Sequence, residues 1–150
     1  MNASSSLIGL LIVLSAGVPA IAQPRCAPTA PDVEGPFYKA GAPLREGTGR
    51  GLAVSGSVKS AATCAPIKAT RVEWWQANAR GEYDDTHRGS LLTGDDGIYR
   101  FDTDFPPPYS GRPSHVHVKA LAPGYRPLTT QLYLKGGERA VTFDLVLVKE

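Results

Sequence analysis

From Leu52 onward the chain breaks into short runs in which apolar and polar residues alternate, separated by turn-forming residues. Leu52, Val54 and Val58 share one parity; the run from Ile67 to Gln76 places Val72 and Trp74 on one side and Trp75 on the other. Gly94-Asp-Asp-Gly97 reads as a turn before Ile98 to Thr103, where Tyr99 and Phe101 share a face. Arg112-Pro-Ser-His-Val-His-Val-Lys119 follows, then a turn over Leu121 to Tyr125 and a run from Thr129 to Leu134. After Gly136-Gly137, Val141, Phe143, Leu145 and Leu147 alternate with Thr142, Asp144, Val146 and Val148. A period of two punctuated by Gly and Pro predicts strands. No stretch after residue 22 carries a persuasive helical period. Six or so short strands predict an all-β fold, a two-sheet antiparallel or mixed β-sandwich.

The first residues follow a different pattern. Leu7 to Val18 is largely apolar, and Ala20-Ile21-Ala22 has the small-x-small form of a cleavage site, so residues 1–22 read as a secretory signal peptide. Its n-region, Met1 to Ser6, holds no Lys or Arg. A membrane span is the competing reading, but the apolar stretch is short and interrupted by Ser15, Gly17 and Pro19. The expected organisation is a signal peptide over 1–22, an irregular N-terminal arm over 23–50 packed on the core, and a β-sandwich over 51–150. The expected location is secreted or periplasmic, with no stable membrane span after cleavage. Within the arm, Glu34-Gly-Pro-Phe-Tyr38 is an aromatic cluster stiffened by Pro36. It reads as an anchor plugging an apolar groove or as part of a pocket wall.

Composition narrows the partners. The 150 residues carry 16 basic and 14 acidic side chains, a net charge of +2, with the basic residues scattered rather than clustered. That balance gives no reason to expect nucleic acid. There are two cysteines, Cys26 and Cys64. An exported chain allows them to pair, tying the arm to the start of the core, while two independent buried thiols are the alternative.

The chemistry concentrates between Trp74 and Tyr133. On a strand of period two, His115, His117 and Lys119 share one face and Val116 and Val118 the other. Two imidazoles so placed either converge on one metal or divide into one buried and one surface histidine. Tyr83 stands where a strand gives way to a loop, and Tyr109 follows three prolines that leave the backbone few alternatives. A phenol titrates near 10, so only a strongly Lewis-acidic ion such as Fe(III) makes it a ligand at neutral pH. Two imidazoles and two phenolates would suit that ion; two tyrosines capping the ends of a sandwich are the other reading.

Val72-Glu-Trp-Trp-Gln-Ala-Asn-Ala-Arg-Gly-Glu-Tyr83, Asp96-Gly-Ile-Tyr-Arg-Phe101, Pro108-Tyr109, Arg112-Pro-Ser-His-Val-His117 and Leu128-Thr-Thr-Gln-Leu-Tyr133 occur in one order. That order resembles the intradiol ring-cleavage dioxygenases, most closely the catalytic domain of protocatechuate 3,4-dioxygenase. Thr29 to Tyr38 is similar to the family's N-terminal motif. The resemblance implies a mixed-topology β-sandwich holding Fe(III) through Tyr83, Tyr109, His115 and His117, with Tyr83 and His115 equatorial and Tyr109 and His117 axial. It implies that Arg112 is the active-site arginine and Gln131 the glutamine beside it. It also implies a catechol-type substrate, opened by O2 between its hydroxyl-bearing carbons to a cis,cis-muconate-type diacid. Tyr109 would serve as ligand at rest and as base when substrate arrives. Arg112 would stabilise negative charge on the ring.

Two departures bear on function. Only Ser110-Gly111 separates Tyr109 from Arg112, where larger members insert more residues, so a reduced pocket roof is expected. There is no counterpart to the long helical N-terminal segment of catechol 1,2-dioxygenases, which leaves the oligomeric state open. His87, in Asp84-Asp-Thr-His87, reads as a surface histidine of a polar loop, with support of Tyr83 as the alternative. Lys119, Arg126 and Arg80 are all candidates to meet a substrate carboxylate. The competing function is a non-catalytic exported module that binds an aromatic or glycan ligand. A copper or zinc His-x-His enzyme ranks third.

Overall fold

The computed structural model describes residues 26–150; the expected signal peptide lies outside them. Eight strands form: β1 (Leu52–Ser60), β2 (Arg71–Ala77), β3 (Tyr83–Leu92), β4 (Ile98–Thr103), β5 (His115–Leu121), β6 (Leu128–Tyr133), β7 (Ala140–Thr142) and β8 (Leu145–Leu147). One sheet runs β4-β1-β7, with β8 also paired to β1; the other runs β3-β2-β5-β6. The expected two-sheet sandwich is thus present, and it is mixed, because β7 and β8 lie parallel to β1 while the remaining pairs are antiparallel. No helix among the described residues is long and apolar enough to cross a membrane.

The core lies between the sheets. Leu52, Val54 and Val58 of β1 bury the inward parity of a strictly alternating strand. They meet Val72 and Trp74 of β2 and Val116, Val118 and Ala120 of β5 in one apolar cluster. Trp74 joins the two layers: its ring stacks on Phe101 of β4 at 4.1 Å and 6° from parallel, and its Nε1 donates to Thr48 Oγ1 at 2.9 Å. Replacing such a buried indole by Ala costs about 3–5 kcal/mol.

Two elements depart from the alternation. The single run from Val141 to Val148 divides into β7 and β8 at Phe143-Asp144. There the Asp144 carboxylate replaces a backbone partner, accepting from Ser57 N at 2.8 Å and Lys59 Nζ at 3.1 Å. The approach is close enough that a Cβ on Gly56 would stand 2.0 Å from the Phe143 carbonyl. The second departure is β3, where the sequence points to a polar loop. Asp84–His87 stand opposite the single residue Gln76, because Trp75 pairs with Arg88 and Ala77 with Tyr83. This wide bulge is held by Asp84 Oδ1, which accepts from Thr86 N at 2.9 Å and from His87 N at 2.9 Å. An Asp-Asp-Thr-His stretch makes turn-like side-chain bonds even inside a strand, which hides the strand from periodicity.

The arm packs across the outer face of the second sheet. Asp32 N donates to Thr129 O of β6, Lys119 of β5 pairs with Glu34 at 2.6 Å, and Tyr38 donates to Glu73 of β2 at 2.8 Å. Beyond them Arg45 N donates to Ser90 O of β3, and Thr48 N to Asp102 O of β4. Cys26 and Cys64 are joined by a disulfide, Cα to Cα 5.4 Å, which fixes the start of the arm to the β1–β2 connection. The arm explains why β2 and β5 are buried on both faces. Their inward side chains are the core, and their outward ones lie beneath the arm.

Candidate metal centre

The outward face of β5 and its neighbours is a ladder of polar and aromatic side chains. His115 pairs with Tyr133, His117 lies between Trp75 and Gln131, and Lys119 lies between Glu73 and Thr129. Each row is set by strand register, so the site is built on rigid backbone. His115 and His117 are buried, at 2% and 3% exposure, with ring centroids 5.0 Å apart. Trp75 stacks flat on His117 at 4.9 Å.

Tyr83 comes from the neighbouring edge strand and closes the group. Its hydroxyl stands 3.3 Å from His115 Nε2 and 3.2 Å from His117 Nε2. His115 Nδ1 lies 2.7 Å from the Pro113 carbonyl, which can only accept, so Nδ1 carries the ring proton and Nε2 presents a lone pair. This is the backbone-carbonyl arrangement that orients metal-binding histidines. His117 Nδ1 is buried with no hydrogen-bond partner of good geometry. The nearby Val33 carbonyl accepts instead from Gln131 Nε2 at 2.6 Å.

The charge state fits a cation. Burial, with His115 and Arg112 nearby, holds His117 down to about 4. Burial likewise lowers His115, against the raising effect of its bond to Pro113. Both rings are therefore neutral at pH 7. Burial, together with Tyr109, pushes Tyr83 up to about 12. His117 Nδ1 has no acceptor that fixes its ring proton away from Nε2, and the phenol's single proton can be donated to only one of the two Nε2 atoms. A strongly acidic cation in its place would satisfy all three atoms, and spacings of 3.2–3.3 Å are those of neighbouring ligands about 2.0–2.2 Å from a metal. Among the described residues no group of three His, Cys, Asp or Glu side chains is arranged to hold a metal, and the donors beside these two histidines are phenols.

Tyr109 is brought to the same place in a different way. Ser110 and Gly111, at φ 50° and 75°, form a two-residue turn, with Tyr109 N donating to Arg112 O at 3.1 Å and Arg112 N to Tyr109 O at 2.9 Å. Positive φ at both central positions marks a type I′ hairpin turn. Residues paired directly across such a turn project on one side. Tyr109 stands edge-on to Tyr83, ring centroids 5.3 Å apart, and its hydroxyl makes no bond to either histidine among the described residues. Three of the four expected ligands are thus in mutual contact, with the fourth against them through its ring.

Arg112 donates from Nη2 to Gln131 Oε1 and, at 2.8 Å, to the Tyr133 hydroxyl, which in turn donates to Asp32 at 3.0 Å. The expected arginine and glutamine are therefore neighbours. Tyr133 and Asp32 are additions the sequence reading did not single out; the alternate-residue register of β6, which points Gln131 and Tyr133 the same way, was the available signal. Phe37 stacks on Tyr83 and stands edge-on to Tyr109. The arm cluster is thus divided: Tyr38 is the anchor and Phe37 a wall of the site.

His87 is a correction. It is not a surface side chain: both ring nitrogens face carboxylates, Nδ1 at 2.8 Å from Asp84 and Nε2 at 3.2 Å from Asp104, and its side chain is 14% exposed. Lys119 is committed to Glu34 and lies 4.0 Å from the centre of the Tyr38 ring, while Arg80 is paired with Glu82.

A family model described as Dioxygenase (Dioxygenase_C) matches residues 33–148. Chlorocatechol 1,2-dioxygenase of Cupriavidus pinatubonensis is 32% identical over 142 residues, covering 72% of this chain and 55% of that protein. Catechol 1,2-dioxygenase of Acinetobacter guillouiae is 34% identical over 141 residues, covering 69% of this chain and 46% of that protein. The chain spans about half the length of the curated relatives it matches. Among solved structures, it resembles the dioxygenase domain of a dioxygenase carbohydrate-binding protein fusion from the cellulolytic bacterium Streptomyces sp. SirexAA-E. That likeness has a TM-score of 0.75 at 34% identity, covering 83% of this chain and 100% of that one. Chlorocatechol 1,2-dioxygenase from Pseudomonas putida gives 0.72 at 27% identity, covering 80% and 72%. With its mixed sandwich, its paired histidines and this match over most of its length, the chain belongs to the intradiol ring-cleavage dioxygenase family.

Proposed function

We propose that this chain is an exported, Fe(III)-dependent dioxygenase that opens a catechol-type ring between its hydroxyl-bearing carbons with O2, giving a cis,cis-muconate-type diacid. The observation that carries the proposal is the Tyr83 hydroxyl facing the Nε2 atoms of His115 and His117 together. These three side chains and Tyr109 would hold the iron. When bound, Fe(III) supplies Lewis acidity toward the catechol oxygens and accepts electron density from the ring.

The remaining roles belong to the chain. Tyr109 lies on a hairpin tip with no hydrogen bond to its hydroxyl among the described residues. Held as phenolate by a bound iron, it would be the side chain free to leave its resting place and take a proton from an incoming diol to become a phenol. Arg112, fixed by Gln131 and Tyr133, aims a permanent cation at negative charge that develops on the ring. Phe37 and Trp75 line the ligands with aromatic carbon.

The motif resemblance to protocatechuate 3,4-dioxygenase does not extend the proposal to a carboxylated substrate. Of the three candidates to meet a substrate carboxylate, Lys119 and Arg80 are paired with carboxylates of the chain, and Arg126 has no ion pair among the described residues. Residues 1–22 fit an export signal, a reading that N-terminal sequencing of the protein recovered from the culture medium or periplasm checks.

The function is tested by loading purified protein with iron under argon, oxidising it in air, and following oxygen uptake with a panel of catechols. The expected protein is burgundy-red and consumes oxygen. Protein that stays colourless sinks the metal assignment. A red protein that binds catechols without consuming oxygen returns the chain to the binding-module reading.

A further inference from the structure

The two tyrosines proposed as ligands sit on separate segments, the start of β3 just before its bulge and the proline-rich run after β4, and a line of side-chain bonds joins those segments. Asn78, at the end of the Trp-Gln-Ala-Asn run, folds the turn before Tyr83. Its Oδ1 accepts from Arg80 N at 2.8 Å and Glu82 N at 3.1 Å, and its Nδ2 donates to Asp84 Oδ2 at 2.9 Å. Asp84 folds the bulge after Tyr83 and accepts from His87 Nδ1 at 2.8 Å. His87 Nε2 then reaches Asp104 Oδ2 at 3.2 Å.

Asp104 is the residue before Phe105-Pro-Pro-Pro-Tyr109, and it is fixed from two further directions. Its Oδ1 accepts from Arg50 N at 2.9 Å, and its carbonyl accepts from Gln76 Nε2 at 2.8 Å. Gln76 also accepts from Thr103 Oγ1 at 3.0 Å and is fully buried. Tyr83 is thus bracketed by Asn78 and Asp84, while the segment that leads to Tyr109 is tied to the same bulge by one imidazole.

We infer that Asn78, Asp84, His87 and Asp104 form a positioning chain that fixes Tyr83 and Tyr109 relative to one another, with His87 as the bridging member. The inference rests on the ligand roles proposed above for the two tyrosines. None of the four residues is placed against the metal or substrate. The bridge needs a side chain that donates from opposite ends of a flat ring, which histidine does when both nitrogens carry hydrogen. Proline restriction over 106–108 then carries the position of Asp104 outward to Tyr109 with little slack. The phenol that moves on substrate binding does so from an anchored base.

The test compares wild type with His87→Ala, Asp104→Asn, the double variant, and Tyr99→Phe. The last removes a hydroxyl bond to Phe143 in the other sheet and serves as a control for general destabilisation. Two readouts are taken: the near-ultraviolet circular dichroism of the metal-free protein, and the position of the visible tyrosinate-to-iron band with the iron affinity. His87→Ala is expected to fold cooperatively, alter the near-ultraviolet signal, shift the band and weaken iron binding about tenfold. Asp104→Asn should do the same, with no further change in the double variant, while Tyr99→Phe leaves the band where it is. If His87→Ala does not fold, His87→Gln, which reaches only one carboxylate, replaces it. Band and near-ultraviolet signal both unchanged in a folded His87 variant overturn the positioning chain, as do additive effects in the double variant. If wild type itself never colours, the ligand assignment is what fails. The metal-free signal then decides the bridge alone, a change supporting it and no change overturning it.

Discussion

Phe37 lies flat on Tyr83, ring centroids 4.3 Å apart and planes 9° from parallel. The arm thereby covers the phenol that faces both histidines, and burial is the main reason Tyr83 is pushed up to about 12. Phe37→Ala should lower the titration midpoint of Tyr83 in the metal-free protein toward 10, followed as the ultraviolet difference against wild type. The lost stack should also cost about 1–2 kcal/mol in denaturant unfolding. An unchanged midpoint would mean that the arm does not shield the phenol.

Tyr109 and Arg112 face one another across a two-residue turn, yet substitutions there should fail differently. Tyr109→Phe should retain iron through Tyr83, His115 and His117, shift the visible band, and slow both the spectral response to anaerobic catechol and turnover. Arg112→Ala should leave the resting colour and that response intact. Its turnover should fall about a hundredfold, the equivalent of roughly 3 kcal/mol for one lost charge-stabilising group. Stopped-flow mixing with catechol under argon, then with oxygen, separates the two. Bleaching of the resting protein by Arg112→Ala, with Tyr109→Phe silent in both phases, reverses the assignment.

Two histidines should give the metal-free protein opposite pH limbs. His117 is held down to about 4 by burial, by His115 and by Arg112, against about 6.5 in the unfolded chain. The unfolded chain binds more protons between those values, so stability falls by on the order of 2 kcal/mol as pH drops from about 6.5 toward 4. His87 has the other sign. Burial opposes its charge, but the bonds and charges of Asp84 and Asp104 outweigh it and raise its pKa. Its contribution is complete below about 6.5 and is lost as pH rises through the raised value. Urea midpoints across pH should show His117→Gln flattening the acid limb and His87→Gln the neutral one. Parallel curves for wild type and variants contradict both.

Removing the disulfide by Cys26→Ser with Cys64→Ser should cost roughly 3–4 kcal/mol, since it releases a loop with sequence separation 38. Chemical denaturation of the two proteins measures it. A loss under about 1 kcal/mol would show that the arm's own bonds, from Thr29 to Thr48, suffice to hold it.

The sandwich was legible because period two is written plainly in β1, β4 and β6. His115 and His117 were legible for the same reason, since their register decides their face. β3 was not, because Asp84-Asp-Thr-His87 has the composition of a turn and behaves as one inside the strand. The role of His87 was hidden with it: a histidine beside one carboxylate is ordinary, and the second, Asp104, is brought near only by the pairing of β2 with β3 and the hold of Gln76 on the end of β4. Tyr133 was hidden by its hydroxyl, whose partners Asp32 and Arg112 come from distant segments.

The arm's route also sets an order of assembly. Asp32 meets Tyr133 across a sequence separation of 101, and Phe37 meets Tyr83 and Tyr109. A chain still leaving the ribosome therefore holds the wall of its site long before it holds Arg112, His115 or Gln131. Contacts between such distant segments form late and slowly. Until the arm settles, the histidines and Tyr83 would stand without their outer cover. A cation captured in that interval would meet the histidines and Tyr83 before Phe37 covers them, so the docking of the arm would close the site rather than build it.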